Sequence, residues 1–246
     1  MVEINAEGIY YKELNKKIRE LVKKGEKKFI LKNINGQRYI CDGIREKIDM
    51  DIYGVPGQDL GAFMDGPTIK IYGDGQDGIA NTMSSGKIIV HGIAGDVCGY
   101  GMRGGKLFIK EDVGYRVGIH MKDYKDKIPY IVVGGKVGDF FGEYMAGGIL
   151  VVLGLFTRRK DAPICGDYLG TGIHGGKIYV RGEVDPYYCG KECGFQQINM
   201  EEDELLKNLL IEYCNDFMID FNLLKGTRFT MLWPKTRRPY GNLYAY

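Results

Sequence analysis

Residues 85–109 read SGKIIVHGIAGDVCGYGMRGGKLFI and contain two short β-branched runs separated by a glycine-rich segment. A short β-branched run, KIIVHG (87–92), leads into a glycine cluster, and a second run, KLFIKE (106–111), follows it. The glycines at 92, 95 and 99 have the spacing G-x-x-G-x-x-x-G. A strand that alternates with a glycine-rich corner, in units of roughly 20 residues, is typical of a repeat protein.

The same glycine pattern extends in both directions along the chain and accounts for much of its 37 glycines in 246 residues. It is complete at three places and partial at 75–78, 114–118 and 166–170. The intervals between the middle glycines, with Gly78 as one of them, are uneven, and the longer ones predict surface loops at 121–128 and 155–163. The predicted structural coil glycines are Gly54, Gly57, Gly61, Gly92, Gly95, Gly99, Gly114, Gly118, Gly135, Gly138, Gly142, Gly166 and Gly170.

Six β-branched runs align into two apolar columns that are two residues apart, which is the period of a strand with one buried face. One column is Ile71, Val90, Ile109, Val132, Val152 and Val180, and the other is Ile69, Ile88, Leu107, Tyr130, Leu150 and Ile178. The column between them is more mixed. One strong strand per coil favours an all-β, single-stranded parallel β-helix, because the leucine and asparagine framework of leucine-rich repeats is missing.

Both ends of the chain differ in pattern from the repeat. Residues 1–45 contain an amphipathic helix at 9–24, followed by segments around Asn35-Gly36 that form either a hairpin or an incomplete first coil. Residues 46–185 are the β-helix. Residues 186–246 contain a helix that opens at Asn199-x-x-Glu202 and an aromatic, basic tail at 232–246. We expect both ends to be short helical caps, with docking to a partner as the alternative for the tail.

Composition excludes several classes of protein. Lysine and arginine number 34 against 32 acidic residues, a net charge of +2, which gives no argument for nucleic-acid binding. The longest apolar run, at 146–156, is shorter than the ~20 residues that span a bilayer, and the first residues lack the features of a signal peptide. We therefore expect a cytoplasmic protein without a membrane or nucleic-acid partner, with six reduced cysteines.

The search for catalytic motifs assigns no catalytic, cofactor-binding or metal-binding residue. Gly99-x-Gly101-x-x-Gly104 matches a dinucleotide fingerprint, but a strand follows it where that motif requires a helix. Two corner runs, GYRVGIHM (114–121) and GEYMAGG (142–148), are the best candidates for a functional or interfacial surface, with a polar network at the coil corners as the alternative. The candidate residues are Arg103, Arg116, His120, Glu143, Tyr144 and His174.

The repeated motifs resemble a known domain. GVPGQDLGAF (54–63), residues 85–109, GGKVGDFFGEYMAGGILVVLG (134–154) and TGIHGGKIYVRG (171–182) are similar to the GXGXG domain, the C-terminal right-handed β-helix of the glutamate synthase large subunit. The resemblance covers about residues 40–185. The whole chain is similar to the stand-alone form of that domain, and the same domain type occurs in one of the polypeptides of formylmethanofuran dehydrogenase.

The resemblance implies a scaffold without a catalytic site. In that family the glutaminase site, the FMN and the iron–sulfur cluster lie in other domains or partner chains, so no cofactor is expected here. The implied partners are synthase-like and amidotransferase polypeptides, with the GEYMAGG turn as a contact with the synthase barrel; a homo-oligomer stays open. The alternatives are a scaffold subunit of another redox complex, such as formylmethanofuran dehydrogenase, and an independent enzyme that uses a groove on the solenoid.

Overall fold

The computed structural model describes residues 1–236, so the predicted tail lies outside it from residue 237 onward. The strands are β1 (Val2–Asn5), β2 (Lys28–Asn35), β3 (Asp49–Val55), β4 (Asp65–Tyr72), β5 (Ser85–Val90), β6 (Gly105–Ile109), β7 (Pro129–Val133), β8 (Ala146–Val152), β9 (Gly175–Arg181), β10 (Cys193–Asn199) and β11 (Arg228–Pro234). The α-helices are α1 (Tyr11–Lys23) and α2 (Glu204–Phe217), and short 3-10 helices lie at Pro186–Tyr188, Met200–Glu202 and Phe221–Leu224.

All eleven strands belong to one sheet, in which β1 to β9 follow one another in sequence order. Each of these nine strands is parallel to its neighbours. At the far edge β11 pairs antiparallel with β9, and β10 pairs antiparallel with β11. The predicted all-β parallel solenoid is therefore confirmed.

Two apolar columns point into the coil, and their members are fully buried. They are Ile71, Val90, Ile109, Val133, Val152 and Val180, and Ile69, Ile88, Leu107, Ile131, Leu150 and Ile178. The prediction that Tyr130 and Val132 belong to these columns was wrong by one residue. The backbone N–H of Gly135, not that of Gly134, bonds to the carbonyl of Glu111 and so continues the series of hydrogen bonds between equivalent residues of successive coils. Aligning β7 at Gly134 therefore moved the strand by one residue, which exchanges its inward and outward faces.

The corner ladder also corrects one glycine of the repeat. Gly95 donates its N–H to the carbonyl of Gln76, whereas Gly78 donates to Asp96, two positions further along the corner. Gln76, and not Gly78, is thus the equivalent of the middle glycines. With that register, equivalent residues of the central coils lie 19 residues apart. The spacing grows to 24 and then 28 residues where the predicted loops at 121–128 and 155–163 are inserted.

A column of five methionines also fills the coil interior, and the sequence analysis did not find it. Each of them is fully buried, and each follows the glycine corner of its own coil. They are Met64, Met83, Met102, Met121 and Met145. The methyl group of Met83 lies 2.6 Å from where a Cβ of Gly105 would stand, so the glycine leaves room for the methionine end. Methionine suits this position because its unbranched side chain adapts to the gap between coils.

The N-terminal segment is an incomplete first coil, not a hairpin. β2 is parallel to both β1 and β3, and residues 38–41 form no strand. Gly36 and Ile40 instead bond to the next coil, through Val55 and Gly61. Helix α1 buries Leu14, Ile18 and Val22 in the coil core, and its Asn15 Nδ2 donates to the Arg38 carbonyl at 2.9 Å. The predicted N-terminal helix therefore closes this end of the solenoid.

The C-terminal helix is present but lies on the outer face of the sheet. Its buried side chains pack against outward-facing residues of β5 to β9, which form a second core. These outward residues are Ile89, Phe108, Val132, Val151 and Tyr179. The helix also starts later than the Asn199-x-x-Glu202 pattern predicts. That pattern opens a 3-10 helix, while Asp203 caps α2 by accepting the Leu206 N–H at 3.0 Å.

Candidate functional site

The candidate residues lie at one corner of the solenoid, where left-handed backbone recurs every second residue. In each coil three positions, two apart, have positive φ, and the sets for four successive coils are 97, 99, 101; 116, 118, 120; 140, 142, 144; and 168, 170, 172. The middle position is glycine because it faces the core. A Cβ at Gly142 would stand 2.7 Å from Ile178 Cδ1, and one at Gly99 would stand 2.3 Å from Ile131 Cδ1.

Several of the outer positions carry large side chains in the same left-handed conformation, although the third position is glycine in the first and the last set (Gly101 and Gly172). Arg116, Phe140 and Tyr168 occupy the first position at φ of 56°, 61° and 60°. His120 and Tyr144 occupy the third position at 55° and 51°. Left-handed backbone costs a non-glycine residue roughly 1–2 kcal/mol, and glycine would avoid this cost. Bulky residues held in such conformations cluster at functional sites, which favours a role for this corner.

The side chains of this corner form two rows of stacked groups on the surface. In the row of third positions, the His120 ring stacks on Tyr144 with centroids 5.4 Å apart, and Tyr100 meets His120 edge-on at 5.8 Å. In the row of first positions, Phe140 stacks on Tyr168 at 4.7 Å, and the Arg116 guanidinium lies 4.4 Å from the Phe140 centroid. We name this the corner surface: Tyr100, Tyr115, Arg116, His120, Phe140, Glu143, Tyr144 and Tyr168.

An ion pair connects the two rows. Arg116 Nη1 contacts Glu143 Oε2, and the glutamate side chain is only 8% exposed while the arginine is 43% exposed. The carbonyl of Glu143 also accepts the His120 N–H at 3.0 Å. A buried carboxylate held by one arginine is strongly tied to it, because removal of the arginine would leave a buried charge without a partner. The pair therefore fixes the guanidinium against Phe140.

Four of the six candidate residues thus come together: Arg116, His120, Glu143 and Tyr144. Arg103 and His174 lie just beyond the corner, two residues after the third position of their coils, and no hydrogen bond or ring contact within residues 1–236 joins them to the four. His174 Nδ1 lies 3.2 Å from the Gly172 carbonyl, and Arg103 Nε is buried without a hydrogen-bond partner in the described chain.

Tyr100, Phe140 and Tyr168 were not predicted, and Tyr115 was included only as part of the candidate run at 114–121. Most of the surface could be predicted from large side chains that stand two residues before or after the glycine in the middle of the three left-handed positions of a corner, because those outer positions point outward. Arg116, His120, Phe140, Tyr144 and Tyr168 all satisfy it.

A second feature explains why several coil glycines cannot be replaced. Asp77, Asp96 and Asp139 each project onto the next coil and accept a backbone N–H from it, at 2.8 to 2.9 Å. The residue before each donor is a glycine, and the carboxylate fills the space of its missing side chain. A Cβ at Gly95 or at Gly114 would stand 1.9 Å from the aspartate Oδ1 of the preceding coil. These aspartates and glycines act together as connectors between coils.

The loop at 155–163, which we call the strap, is held by charges across several coils. Arg158 bonds both carboxylate oxygens of Asp74 at 2.8 and 3.1 Å, and its Nε contacts Glu111. Lys136 Nζ donates to the strap carbonyls of Arg159 and Lys160 at 2.8 Å. Burial alone would raise the pKa of Asp112, but backbone N–H bonds from Lys136 and Arg158 and a Thr157 hydroxyl bond lower it.

The six cysteines of the described chain are free, and burial makes their thiols weakly acidic. Burial raises the pKa of the Cys41 and Cys98 thiols to about 12 and that of the Cys189 thiol to about 11. A thiol with so high a pKa is a poor nucleophile at neutral pH. Within residues 1–236 no group of three histidine, cysteine, aspartate or glutamate side chains is arranged to hold a metal ion. Neither helix of that range is long and apolar enough to cross a membrane.

Comparison with known proteins agrees with this architecture. The chain matches the family model described as the GXGXG motif over residues 12–235. Protein MJ1350 of Methanocaldococcus jannaschii, described as uncharacterized, is 46% identical over 99% of this chain and 96% of its own length. The ferredoxin-dependent glutamate synthase of Pyropia yezoensis is 31% identical over 64% of this chain and 10% of the synthase.

The ferredoxin-dependent glutamate synthase 1 of Arabidopsis thaliana is 28% identical over 72% of this chain and 11% of the synthase. The chain therefore spans about a tenth of these two glutamate synthases and nearly the full length of MJ1350. The family match covers α1 from its second residue, the parallel strands β2 to β9, β10, α2 and all of β11, and it leaves out β1. The chain belongs to the family defined by the GXGXG motif.

Proposed function

We propose that this chain is a non-catalytic structural subunit of a glutamate-synthase-like oxidoreductase of glutamate biosynthesis, working in the cytoplasm. The corner surface carries the proposal, because there several large side chains in costly backbone conformations stack on one another across successive coils, and His120, Tyr144 and Tyr168 are exposed. Aromatic residues and arginine are also the side chains most enriched at protein–protein contacts. The similarity to a stretch of much larger glutamate synthases supports this class of enzyme as the context.

The solenoid suits such a role mechanically. Each coil adds about 4.8 Å along the axis, so the successive coils form a stiff spacer whose surface residues keep fixed separations. We propose that the corner surface binds a synthase-type polypeptide, and that the FMN and the iron–sulfur cluster belong to the partner chains. The stacked rows supply apolar area, while Arg116 and His120 supply hydrogen-bond donors at its rim.

Co-purification tests this function. The tagged chain is expressed together with the synthase-type and amidotransferase-type polypeptides of the same genome, and the captured complex is analysed by mass spectrometry and visible absorption. We expect the chain alone to show no visible band and the complex to show that of a flavin. Failure of the wild-type chain to retain a synthase-type polypeptide would contradict the proposed role.

A variant pair tests the surface itself. Tyr144→Ala combined with Tyr168→Ala removes one ring from each row, and we expect a roughly 10- to 30-fold weaker affinity for the synthase-type polypeptide, as for the loss of interface hot spots. Phe63→Ala is the matched control, since Phe63 has the same left-handed backbone position in an earlier coil and is also exposed. Equal binding by the double variant and the wild type would exclude the corner surface as the contact.

A further inference from the structure

A second candidate site lies at the opposite end of the solenoid from β10, in a groove beside α1. The groove has a volume of about 1020 Å³ and lies between the loop that precedes α1 and the first two coils. Its lining includes residues 7–10, Asn33, Asn35, Gln37 and Tyr53. It shares no residue with the corner surface, so an inference drawn from it does not depend on the proposed function.

The floor of the groove is the end of an aromatic stack. On the outer face of the sheet, Tyr53 of β3 stacks on Tyr72 of β4 with centroids 4.8 Å apart and an angle of 14° between the rings. Tyr72 stacks in turn on His91, also at 4.8 Å, and Phe217 of α2 closes that end edge-on. The other end of the stack is Tyr53, which is 44% exposed.

The strand that should continue the stack is bulged at that point. β2 and β3 pair Leu31 with Ile52 and then Ile34 with Gly54, so Lys32 and Asn33 together oppose Tyr53. Asn33 takes a left-handed conformation, at φ of 56°, and its Nδ2 donates to Asn5 Oδ1 at 2.9 Å. Lys32 is paired with Glu3 at 2.8 Å. No ring of residues 1–236 therefore stacks on Tyr53 from the side of the groove.

The walls of the groove around Tyr53 carry amide and peptide groups together with two charged side chains, Glu7 and Lys32, of which Lys32 is paired with Glu3. Asn33 keeps its side-chain carbonyl oxygen without a hydrogen bond in the described chain, and the Asn35 side chain makes none there either. The Gln37 amide is used internally, since it donates to the carbonyls of Ala6 and Ile9 and accepts from the Asn35 N–H. Donors and acceptors at the edge of an aromatic platform match the edge of a heterocycle better than that of a phenyl ring.

We propose that this groove binds a small molecule through a planar heteroaromatic ring of the nucleobase type, which stacks on Tyr53 as the next step of the Tyr53–Tyr72–His91 series. Stacking is available at this spacing because every nucleobase presents a π face to an aromatic side chain. Asn33 and Asn35 recognise the polar edge of the ring. The position next to Tyr53 stays open for a ligand ring because neither of the two β2 residues opposite Tyr53, Lys32 and Asn33, carries a ring.

Titration with adenosine, followed by NMR of the full chain, tests this site. We expect saturable shifts confined to residues around Tyr53, with a dissociation constant of about 1 mM or lower. Tyr53→Leu is expected to weaken binding at least about fivefold, the lower end for the loss of one stacked base, while Tyr53→Phe keeps the platform and the affinity. Tyr124→Leu, at another exposed tyrosine, is the control and leaves the affinity unchanged.

Three results would overturn the proposal. The first is the absence of saturable NMR shifts when adenosine is added to about 10 mM, which is about ten times the expected dissociation constant. The second is an affinity that Tyr53→Leu leaves unchanged while its melting temperature shows a folded chain. The third is binding of N-acetyltyrosinamide in place of adenosine, which would make the groove a receptor for an aromatic side chain of a partner protein. Weaker adenosine binding by Asn35→Ala would support the polar edge contact.

Discussion

The outer face of the sheet consists of two regions that differ sharply. Across β5 to β9 the outward column is apolar, and α2 covers it to form a second core. Across β3 and β4 the same column continues as Asp51 and Lys70, which lie at the surface. The inward columns, by contrast, are apolar from β3 to β9 without interruption.

The difference shows that the coil and the helix impose separate requirements on the same strands. Closing the coil requires apolar side chains on the inner face of every strand, whatever lies outside. The outer face becomes apolar only where another element lies over it. The uncovered region is also where the aromatic stack ends at Tyr53, so the surface that α2 leaves free is the one that contains the groove.

The largest expected effect comes from emptying the covered region. Phe108→Ala removes a fully buried ring that meets Tyr213 of α2 edge-on at 5.6 Å, and we expect a loss of about 3–5 kcal/mol in the free energy of unfolding. Lys70→Ala, in the same outward column of the open region, should change it by less than about 0.5 kcal/mol. Urea unfolding measures both, and equal losses would remove the distinction between the two regions.

A smaller effect tests the coil that both regions share. A Cβ at Gly138 would stand 2.8 Å from the Gly114 carbonyl oxygen, which belongs to the backbone and cannot easily move away. We expect Gly138→Val to cost about 1–3 kcal/mol or more, as overpacking does. His120→Ala removes an exposed ring and should cost less than about 1 kcal/mol. Equal melting temperatures would contradict the assignment of Gly138 to a close contact between coils.

The smallest effect concerns the attachment of α2 and depends on pH. Glu212 of α2 pairs with Lys87 and Lys106 of the strands beneath it. Burial acts to raise the pKa of Glu212, but hydrogen bonds from Lys106 and Lys87 outweigh it, so the pKa is lower in the folded chain. Its contribution is therefore present above the unfolded-state pKa of about 4.3 and is lost as the pH falls through the folded value.

We accordingly expect Glu212→Gln to lower the free energy of unfolding by about 0.5–1 kcal/mol at pH 7, since the pair is partly exposed. The difference from the wild type should close below about pH 4. Glu204→Gln, on the same helix but 78% exposed and 4.0 Å from its lysine, is the matched control and should lower the free energy of unfolding at pH 7 by less than Glu212→Gln does. A gap that stays constant down to acid pH would mean that Glu212 contributes through packing alone.

Much of the fold could be predicted from the sequence because the coil repeats its own requirements. The glycine spacing and the inward columns recur in every coil, so the errors in register, at Gly134 and at Gly78, amount to only one or two residues. The role of α2 could not be predicted, since Ile89, Phe108 and Val151 looked like a mixed column until the helix was seen above them. The periodicity of apolar residues indicates that one face of a strand is buried, but it does not indicate which element covers that face.

The corner surface was predictable only in part for a similar reason. Arg116, His120, Glu143 and Tyr144 lie close to corner glycines in sequence, and the fold brings them together. Phe140 and Tyr168 also belong to the surface, because their rings stack on each other across two successive coils. Equivalent residues of these two coils are 28 positions apart in the sequence, since the strap is inserted between them. Arg103 and His174 follow the last left-handed position of their coils by two residues, and among the described residues no hydrogen bond or ring contact joins them to the cluster.

The strap has a consequence for how the molecule comes apart. In a solenoid each coil normally touches only its two neighbours, so the ends can fray while the middle stays folded. Arg158 joins Asp74 across 84 residues of chain and passes over intervening coils, and Lys87 joins Glu212 of the overlying helix α2 across 125 residues. Such ties couple coils that share no backbone contact. The stack of coils should therefore behave as one cooperative unit, which is the property that a spacer needs if force or motion at one end is to reach the other.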